Sequence, residues 1–278
     1  MALCAKTEAM KISDVLDPAR AAALHTALGL SGPSPSANDP LPAFWHYIYF
    51  WDAQPAENLG QDGHPKIGGF IPDLGLPRRM WAGGDLQFIT PLRLGIPATK
   101  ASKIVNTQQK SGASGPLAII TIEHEIMQED QFCIFEKQSL IYREAANPAL
   151  PQPIPPQARV DETVTETHSF TSTLLFRYSA LTFNGHRIHY DKDYAQKAER
   201  YPDLIVHGPL LAQLLIHFAE RHFGNLKEFN FQATAPMFAT ETATLCAKQN
   251  DTGVDLWVRG PDGRLNMRAK ATPYATQP

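Results

Sequence analysis

The sequence predicts an α+β fold in which a unit of one helix and one antiparallel sheet occurs twice. Runs of β-branched and aromatic residues, separated by Gly, Pro and Ser clusters, fill residues 80–143 and recur in residues 229–272. A stretch with five prolines, residues 147–156, lies between them. The two halves also share a phrase: Leu86 and Phe231 each stand five positions before a proline that precedes another apolar residue. We therefore predict an internal duplication.

The composition is that of a globular protein with a sizeable core. The 278 residues are 43% hydrophobic and 19% charged with a net charge of −3, which leaves no electrostatic footprint for nucleic acid or an anionic membrane. No run approaches the roughly 20 apolar residues of a membrane helix. We expect no secretory signal, because an acidic residue precedes any long apolar run in the first residues, and three cysteines at unmatched spacing favour a reducing compartment. We expect a cytoplasmic protein without nucleic-acid or membrane partners.

The N-terminal part contains one helix and one aromatic run. Asp17-Pro18 begins a helix that Gly29 ends, and we expect this helix to be peripheral. Residues 32–42 hold four prolines and several serines, which is typical of a linker. The aromatic run, residues 44–51, predicts a buried strand at the start of the first sheet.

Residues 52–79 are rich in Gly and Pro, and no regular element of any length fits them. Such a long irregular segment is usually functional or a lid. Arg78 and Arg79 close it and could face the acidic groups of a bound ligand. Residues 80–143 then predict a four-stranded antiparallel meander in which His124 is a structural residue.

The candidate site lies in residues 176–215. Asn184, His186 and His189 form a compact polar cluster, and further on Gly208-Pro209 opens a helix with one apolar stripe. An imidazole can take and return a proton near neutral pH. The first N–H groups of a helix have no partner within it and suit an oxyanion.

A histidine base and a helix N-terminus are the two groups that adding water to an α,β-unsaturated thioester requires. The base activates water for attack on the β-carbon, while N–H donors stabilise the enolate oxygen. We assign these roles to His189 and Gly208. Asp191 or Asp193 is interpreted as a helix N-cap. A metal site remained the alternative, with imidazole and carboxylate ligands from His186, His189, Asp191 and His207.

Two short sequences, F-N-G-H-R-I-H at residues 183–189 and H-G-P at residues 207–209, follow one another in the candidate site. Together they resemble the motif of MaoC-like and (R)-specific enoyl-CoA hydratases. Asn184 stands where that superfamily has its catalytic Asp, and Arg187 stands where it has Pro. Because an amide cannot take a proton, we expect Asn184 to orient water or substrate and His189 to transfer the proton. With Asn at this position, the motif resembles that of a subgroup that carries Asn itself: mesaconyl-C4-CoA hydratases, itaconyl-CoA hydratases and mitochondrial 3-hydroxyacyl-thioester dehydratases.

The resemblance implies a double hot-dog fold, in which two helix-wrapped antiparallel sheets form a pseudo-dimer. It implies an N-terminal helix and linker (1–41), an N-terminal hot-dog domain of the divergent dehydratase type that shapes the pocket (42–146), a proline-rich linker (147–160) and a C-terminal catalytic domain (161–278). The chemistry would lie in the second half alone. The resemblance also implies a site without metal or cofactor, and a homodimer of double hot-dogs is possible.

The implied activity is that of a hydro-lyase acting on an acyl-CoA. The subgroup favours hydration of mesaconyl-C4-CoA to citramalyl-CoA, with itaconyl-CoA hydratase and 3-hydroxyacyl-thioester dehydratase as alternatives. Two other classes stay open, a thioesterase and a non-catalytic acyl-CoA-binding protein. The expected substrate-binding residues are Arg187, which could meet a second carboxylate, and His186, His207, Arg78 and Arg79.

Overall fold

The computed structural model describes residues 9–112, 115–144 and 154–275. Ten strands form one antiparallel sheet in the order β1-β3-β4-β5-β2-β7-β10-β9-β8-β6. The strands are β1 (Met10–Val15), β2 (Arg78–Phe88), β3 (Pro97–Gly112), β4 (Gly115–Gln128), β5 (Gln131–Arg143), β6 (Val164–Ser169), β7 (Leu226–Ala233), β8 (Thr242–Asn250), β9 (Gly253–Arg259) and β10 (Leu265–Pro273). The helices are α1 (Pro18–Ala27), α2 (Ser172–Leu181), α3 (Lys192–Lys197) and α4 (Gly208–Phe223).

The two halves of the sheet repeat the same order, and β2 pairs with β7 where they meet. The shared phrase predicted from the sequence occupies equivalent turns. Its first copy begins at Leu86 in β2 and accepts a hydrogen bond after that strand, at the Leu92 carbonyl from Leu41 N (2.7 Å). Its second copy begins at Phe231 in β7 and accepts one after that strand, at the Met237 carbonyl from Val206 N (2.8 Å). The predicted duplication is therefore confirmed.

Helix α4 is the main helix against the sheet. Its ten residues from 210 to 219 are all buried, and it contacts β7, β8, β9 and β10. Pro209 lies in its first turn, where a missing N–H costs nothing. The predicted start at Gly208 is confirmed.

The first half has a 3₁₀ turn, Trp45–Ile48, where the second half has α4. The predicted strand over residues 44–51 is therefore wrong, although this aromatic run is buried as expected. Positive φ angles at Phe44 (71°) and Phe50 (59°) interrupt any extended run. Phe44 folds back so that its ring stacks on Tyr47 with centroids 4.1 Å apart. Local aromatic packing thus outweighs the β propensity of the run.

The N-terminal segment is more than a peripheral helix. Asp17 caps α1 by accepting a hydrogen bond from Ala19 N, as the sequence predicts. However, β1 precedes this helix and forms an edge of the sheet beside β3. Ala21 and Leu24 are buried on the inner face of α1. The proline-rich linker lies partly outside the described residues, and the predicted domain limits stay a prediction.

Four further expectations concern the meander, His124, the cysteines and membrane-spanning helices. Strands β3, β4 and β5 form a meander, but β2 pairs with β5 and not with β3, so the predicted four-stranded meander is correct only in part. His124 lies on β4 with Nδ1 2.8 Å from Ser102 Oγ. Cys133 and Cys246 are buried free thiols, and Cys4 lies outside the described residues. No helix in the described ranges is long and apolar enough to cross a membrane.

Candidate active site

A tight turn, which we call the histidine loop (residues 183–190), carries the predicted polar cluster. Phe183 has a positive φ of 51°, and the Asn184 side-chain oxygen accepts a hydrogen bond from the His186 N–H (3.0 Å). This is the local bond by which Asn closes turns. Tyr190 O–H donates to the Gly185 carbonyl (2.8 Å). The Asn184 oxygen therefore shapes the loop, and His189 turns inward on the 3₁₀ turn Arg187–His189.

His189 is buried, with 7% of its surface exposed. Its Nδ1 lies 2.8 Å from the Ile205 carbonyl oxygen, which can only accept, so the proton of the neutral ring is on Nδ1. The Nε2 lone pair is left to act as a base. Burial lowers the pKa of His189 to about 4, against the opposing effect of the Ile205 hydrogen bond. The imidazole is thus neutral at pH 7.

The His189 ring lies beside the N-terminus of α4. It stacks on His207, the N-cap residue of α4, with centroids 3.7 Å apart and planes 20° apart. His207 is fully buried, and its Nε2 lies 2.8 Å from Ser179 Oγ. The ring of the base therefore packs against the residue that directly precedes Gly208, the first residue of α4. The pairing of His189 with the Gly208 N–H stays a prediction.

Gly208 is needed for a steric reason. A Cβ atom at this position would lie 2.7 Å from Cε3 of the Trp81 ring on β2. Real Cβ atoms do not approach other heavy atoms that closely. The first half of the chain therefore covers the N-terminus of α4 with Trp81, which itself stacks on Phe231 with centroids 4.5 Å apart.

The irregular segment also reaches the histidine loop. His64 Nδ1 lies 3.0 Å from Asp62 Oδ2, and the His64 ring lies 4.2 Å from the His186 ring between centroids. The His186 ring lies 5.4 Å from that of His189. The first half thus places an ionisable side chain, His64, beside the histidine loop in addition to the predicted Arg78 and Arg79. The expectation that the chemistry lies in the second half alone stays a prediction.

The three predicted arginines have different surroundings. Arg187 forms an ion pair with Asp191 (2.7 Å), and its guanidinium lies over the Tyr194 ring. Arg78 pairs with Glu199 at 2.8 Å. Among the described residues Arg79 has no ion-pair partner, and its positive charge helps to lower the pKa of both His64 and His186. Arg79 is therefore the arginine left for an anionic ligand near the histidines.

The four residues of the alternative metal cluster are not all brought together. Asp191 caps α3 by accepting a hydrogen bond from Tyr194 N (3.0 Å) and pairs with Arg187, as the capping interpretation predicts. A different set, Asp62, His64 and His186, offers one possible ligand atom each within 4.8 Å of the others. The expectation of a metal-free site stays a prediction.

Sequence reasoning missed Asp62, His64, Trp81 and Ser179 as neighbours of the site. A signal was available for the first two: an Asp-Gly-His sequence at residues 62–64, in a segment predicted to be functional. No such signal marks Trp81 or Ser179, because their role depends on contacts between distant parts of the chain.

Fold and site together define a hot-dog hydro-lyase, a class that comparison with known proteins supports. A model of the family described as hydroxyacyl-thioester dehydratase type 2 matches residues 44–239, so the chain belongs to this family. A mesaconyl-C(4)-CoA hydratase of Chloroflexus aurantiacus is 44% identical over 271 residues, covering 97% of this chain and 96% of that protein. A mitochondrial hydroxyacyl-thioester dehydratase type 2 of Schizosaccharomyces pombe is 28% identical over 77% of this chain and 79% of its own.

Solved structures confirm the fold. A MaoC-like dehydratase from Phytophthora capsici superposes with a TM-score of 0.71 at 12% identity, covering 98% of this chain and 97% of the other. A Mycobacterium tuberculosis protein described as a double hotdog fold has a TM-score of 0.55 at 13% identity, with 95% of each chain covered. The predicted double hot-dog fold and MaoC-like relationship are confirmed, with the 3₁₀ turn replacing the long helix in the first half.

Proposed function

We propose that this protein hydrates mesaconyl-C4-CoA to citramalyl-CoA. The observation that carries the proposal is His189, a buried neutral imidazole whose Nδ1 is bound to the Ile205 carbonyl and whose ring stacks on His207, the N-cap residue of α4. Its Nε2 has no hydrogen-bond partner among the described residues. The 44% identity to a mesaconyl-C(4)-CoA hydratase over nearly the whole chain supports the choice of substrate.

The reaction follows from these two groups. His189 Nε2 takes a proton from water while the water oxygen bonds to the β-carbon. The π electrons of the double bond move to the thioester oxygen, where the N–H of Gly208 and the positive end of α4 stabilise the enolate. The enolate then takes the proton from His189 at its α-carbon. The imidazole is neutral again, and the reverse sequence removes water.

The second carboxylate of the substrate needs a cation. In mesaconyl-C4-CoA this carboxylate is attached to the β-carbon, the same carbon that water attacks. It would therefore lie within a few bonds of the base. Arg79 is suited to it because this arginine has no ion-pair partner in the described part of the chain and lies near enough to His186 and His64 to lower their pKa values.

Dehydration of 3-hydroxyacyl thioesters is the second candidate. The family model and the fission-yeast relative favour it. It uses the same base and the same helix N-terminus in the reverse direction, but its substrate lacks the second carboxylate. Itaconyl-CoA is a third substrate to compare, because its hydration also gives citramalyl-CoA.

The test is an assay of the purified protein with mesaconyl-C4-CoA, itaconyl-CoA, crotonyl-CoA and 3-hydroxybutyryl-CoA, followed at the absorbance of the conjugated thioester and by product analysis. We expect mesaconyl-C4-CoA to have the highest kcat/KM. His189→Ala should lower kcat by roughly 10³-fold, because general-base catalysis contributes about 10²–10⁴.

The control is His25→Ala in the last turn of α1, outside the site, which should retain wild-type activity. A preference for 3-hydroxybutyryl-CoA would favour the dehydratase. Release of free thiol would indicate a thioesterase. Binding of these thioesters without turnover would indicate an acyl-CoA-binding protein, and each of these three results would contradict the proposal.

A further inference from the structure

The mechanism leaves one hydrogen of the nucleophilic water without a partner. His189 Nε2 accepts one hydrogen, but the other must also be held if an oxygen lone pair is to point at the β-carbon. The motif that this chain resembles has a carboxylate at position 184, whereas this chain has Asn184, whose uncharged side-chain oxygen already uses one of its two lone pairs for His186 N. Another acceptor near His189 would complete the site.

The Asp62–His64 pair has the properties of such an acceptor. Asp62 Oδ2 lies 3.0 Å from His64 Nδ1, and an ionised carboxylate can only accept, so the Nδ1 of His64 carries the proton. The Nε2 lone pair is then free on the other side of the ring. Both side chains are largely buried, with 17% of His64 and 24% of Asp62 exposed.

Backbone contacts hold this pair against the histidine loop. Arg187 N donates to the Asp62 carbonyl (2.8 Å). A Cβ atom at Gly63 would lie 1.9 Å from the Gly185 carbonyl oxygen, and one at Gly185 would lie 2.6 Å from the Gly63 carbonyl oxygen. The two loops therefore meet at a distance that only glycines allow. The docked backbone therefore fixes the position of His64.

The rings of His64 and His189 flank the same neighbour. The His186 ring lies 4.2 Å from His64 and 5.4 Å from His189 between centroids. A charge on His64 would act on His189, since it lowers the pKa of that residue. The rings of His64 and His189 thus border one small polar region at the junction of the two halves.

Burial is the main reason why His64 is neutral, and two charged groups face it with opposite effects. Burial lowers the pKa of His64, Arg79 on β2 lowers it further, and Asp62 opposes both. His186, which faces His64 from the histidine loop, also has a lowered pKa, chiefly because of burial. Both imidazoles are therefore neutral at pH 7, and a neutral ring has a lone pair with which to accept.

We propose that His64, oriented by Asp62, is the second hydrogen-bond acceptor for the nucleophilic water and stands in for the carboxylate that Asn184 lacks. This inference rests on the proposed function. One hydrogen of the water is held by His64 Nε2 and stays on the new hydroxyl group. The other passes to His189 and then to the α-carbon, so His64 neither gains nor loses a proton. The active site is thus completed by the first half of the chain.

The experiment compares His64→Leu with His64→Gln, since the two side chains fill similar space and only Gln retains an acceptor. His64→Leu should lower kcat for the best enoyl-CoA substrate by roughly 100-fold and leave KM within about threefold. His64→Gln should recover about tenfold of that loss. Asp62→Asn should lower kcat by about tenfold, because the amide no longer fixes the tautomer. The control, Asp73→Asn in the same segment, should be unchanged.

The outcomes separate this inference from the proposed function. If the wild type is active and His64→Leu keeps more than half of kcat, the inference alone fails. Equal losses in the Leu and Gln variants would assign His64 a packing role and overturn it as well. So would activity that a chelator abolishes and a divalent cation restores, because Asp62, His64 and His186 would then be metal ligands. A wild type that converts none of the thioesters overturns both proposals.

Discussion

At the scale of single residues, hydrogen-bond partners decide which side chains are available for chemistry. His189 and His64 each bind an acceptor through Nδ1, so each leaves Nε2 free. Arg187 and Arg78 are neutralised by Asp191 and Glu199 respectively. Residue type alone distinguishes none of these cases.

Arg79 provides the prediction at this scale. Arg79→Met should lower kcat/KM for mesaconyl-C4-CoA by roughly 30-fold, because the substrate carboxylate would lose a charge-assisted hydrogen bond worth about 2 kcal/mol. The kcat/KM for crotonyl-CoA should stay within about threefold, because crotonyl-CoA has no such carboxylate. Steady-state kinetics on both substrates measure this ratio. Arg268→Met, an exposed arginine on β10 bound to Gln232, is the matched control. An unchanged ratio would exclude Arg79 from recognition of the carboxylate.

At the scale of elements, the site is built where parts distant in the chain meet. Helix α4 supplies the donor end, the histidine loop supplies the base, and β2 covers the helix start with Trp81. The segment with Asp62 and His64 has a single short 3₁₀ turn, Ala56–Asn58, yet the Gly63–Gly185 contact fixes it in place. An irregular segment can thus be positioned as firmly as a helix when its backbone is docked.

Gly63→Ala tests this docking. Its φ of +87° and the 1.9 Å approach to the Gly185 oxygen leave no room for a Cβ, so residues 60–64 should separate from the histidine loop. We expect kcat to fall by at least about tenfold and limited proteolysis to cleave this segment faster, while the sheet stays folded. The control is Gly69→Ala, where an added Cβ meets nothing within 4 Å and φ is not in the positive range. Wild-type kcat and protease resistance in Gly63→Ala would contradict the docking.

At the scale of the whole molecule, the core of both halves contains histidines that burial keeps neutral. Burial lowers the pKa of His124, His189 and His217 to about 4 each, and lowers that of His207 well below its usual value. In the unfolded chain each ring would titrate near 6.5. Between these values the unfolded state binds more protons than the folded one, so acid favours unfolding.

These histidines should therefore leave the free energy of unfolding constant between about pH 7 and 8 and make it fall as the pH drops from 6.5 towards 4. Each of these histidines contributes a slope of roughly 1 kcal/mol per pH unit in that window. Urea unfolding followed by tryptophan fluorescence at a series of pH values measures the slope. His25→Asn, which removes a histidine outside this buried set, should leave the slope unchanged. A flat profile from pH 7 to 4.5 would show that the rings are already solvated in the folded protein.

The sequence by itself determined the features whose signals are local. The Gly-Pro start of α4, the Asp17 and Asp191 caps and the turns between the strands of the second half all depend on residues a few positions apart. The duplicated phrase indicated the repeat because the same turn is made twice. His189 and Gly208 were predicted as a pair from a motif and a helix start, each readable within one short stretch.

Only the tertiary structure decided what depends on contacts between distant residues. The aromatic run became a 3₁₀ turn because its rings pack on one another and on α4, where Trp45 Nε1 donates to His217 Nε2 (2.9 Å). Strand β2 lies between β5 and β7, and His64 lies against His186. Both contacts join positions that are far apart in the chain. Propensity and spacing act over a few residues, whereas these contacts exist only once the two halves have closed against each other.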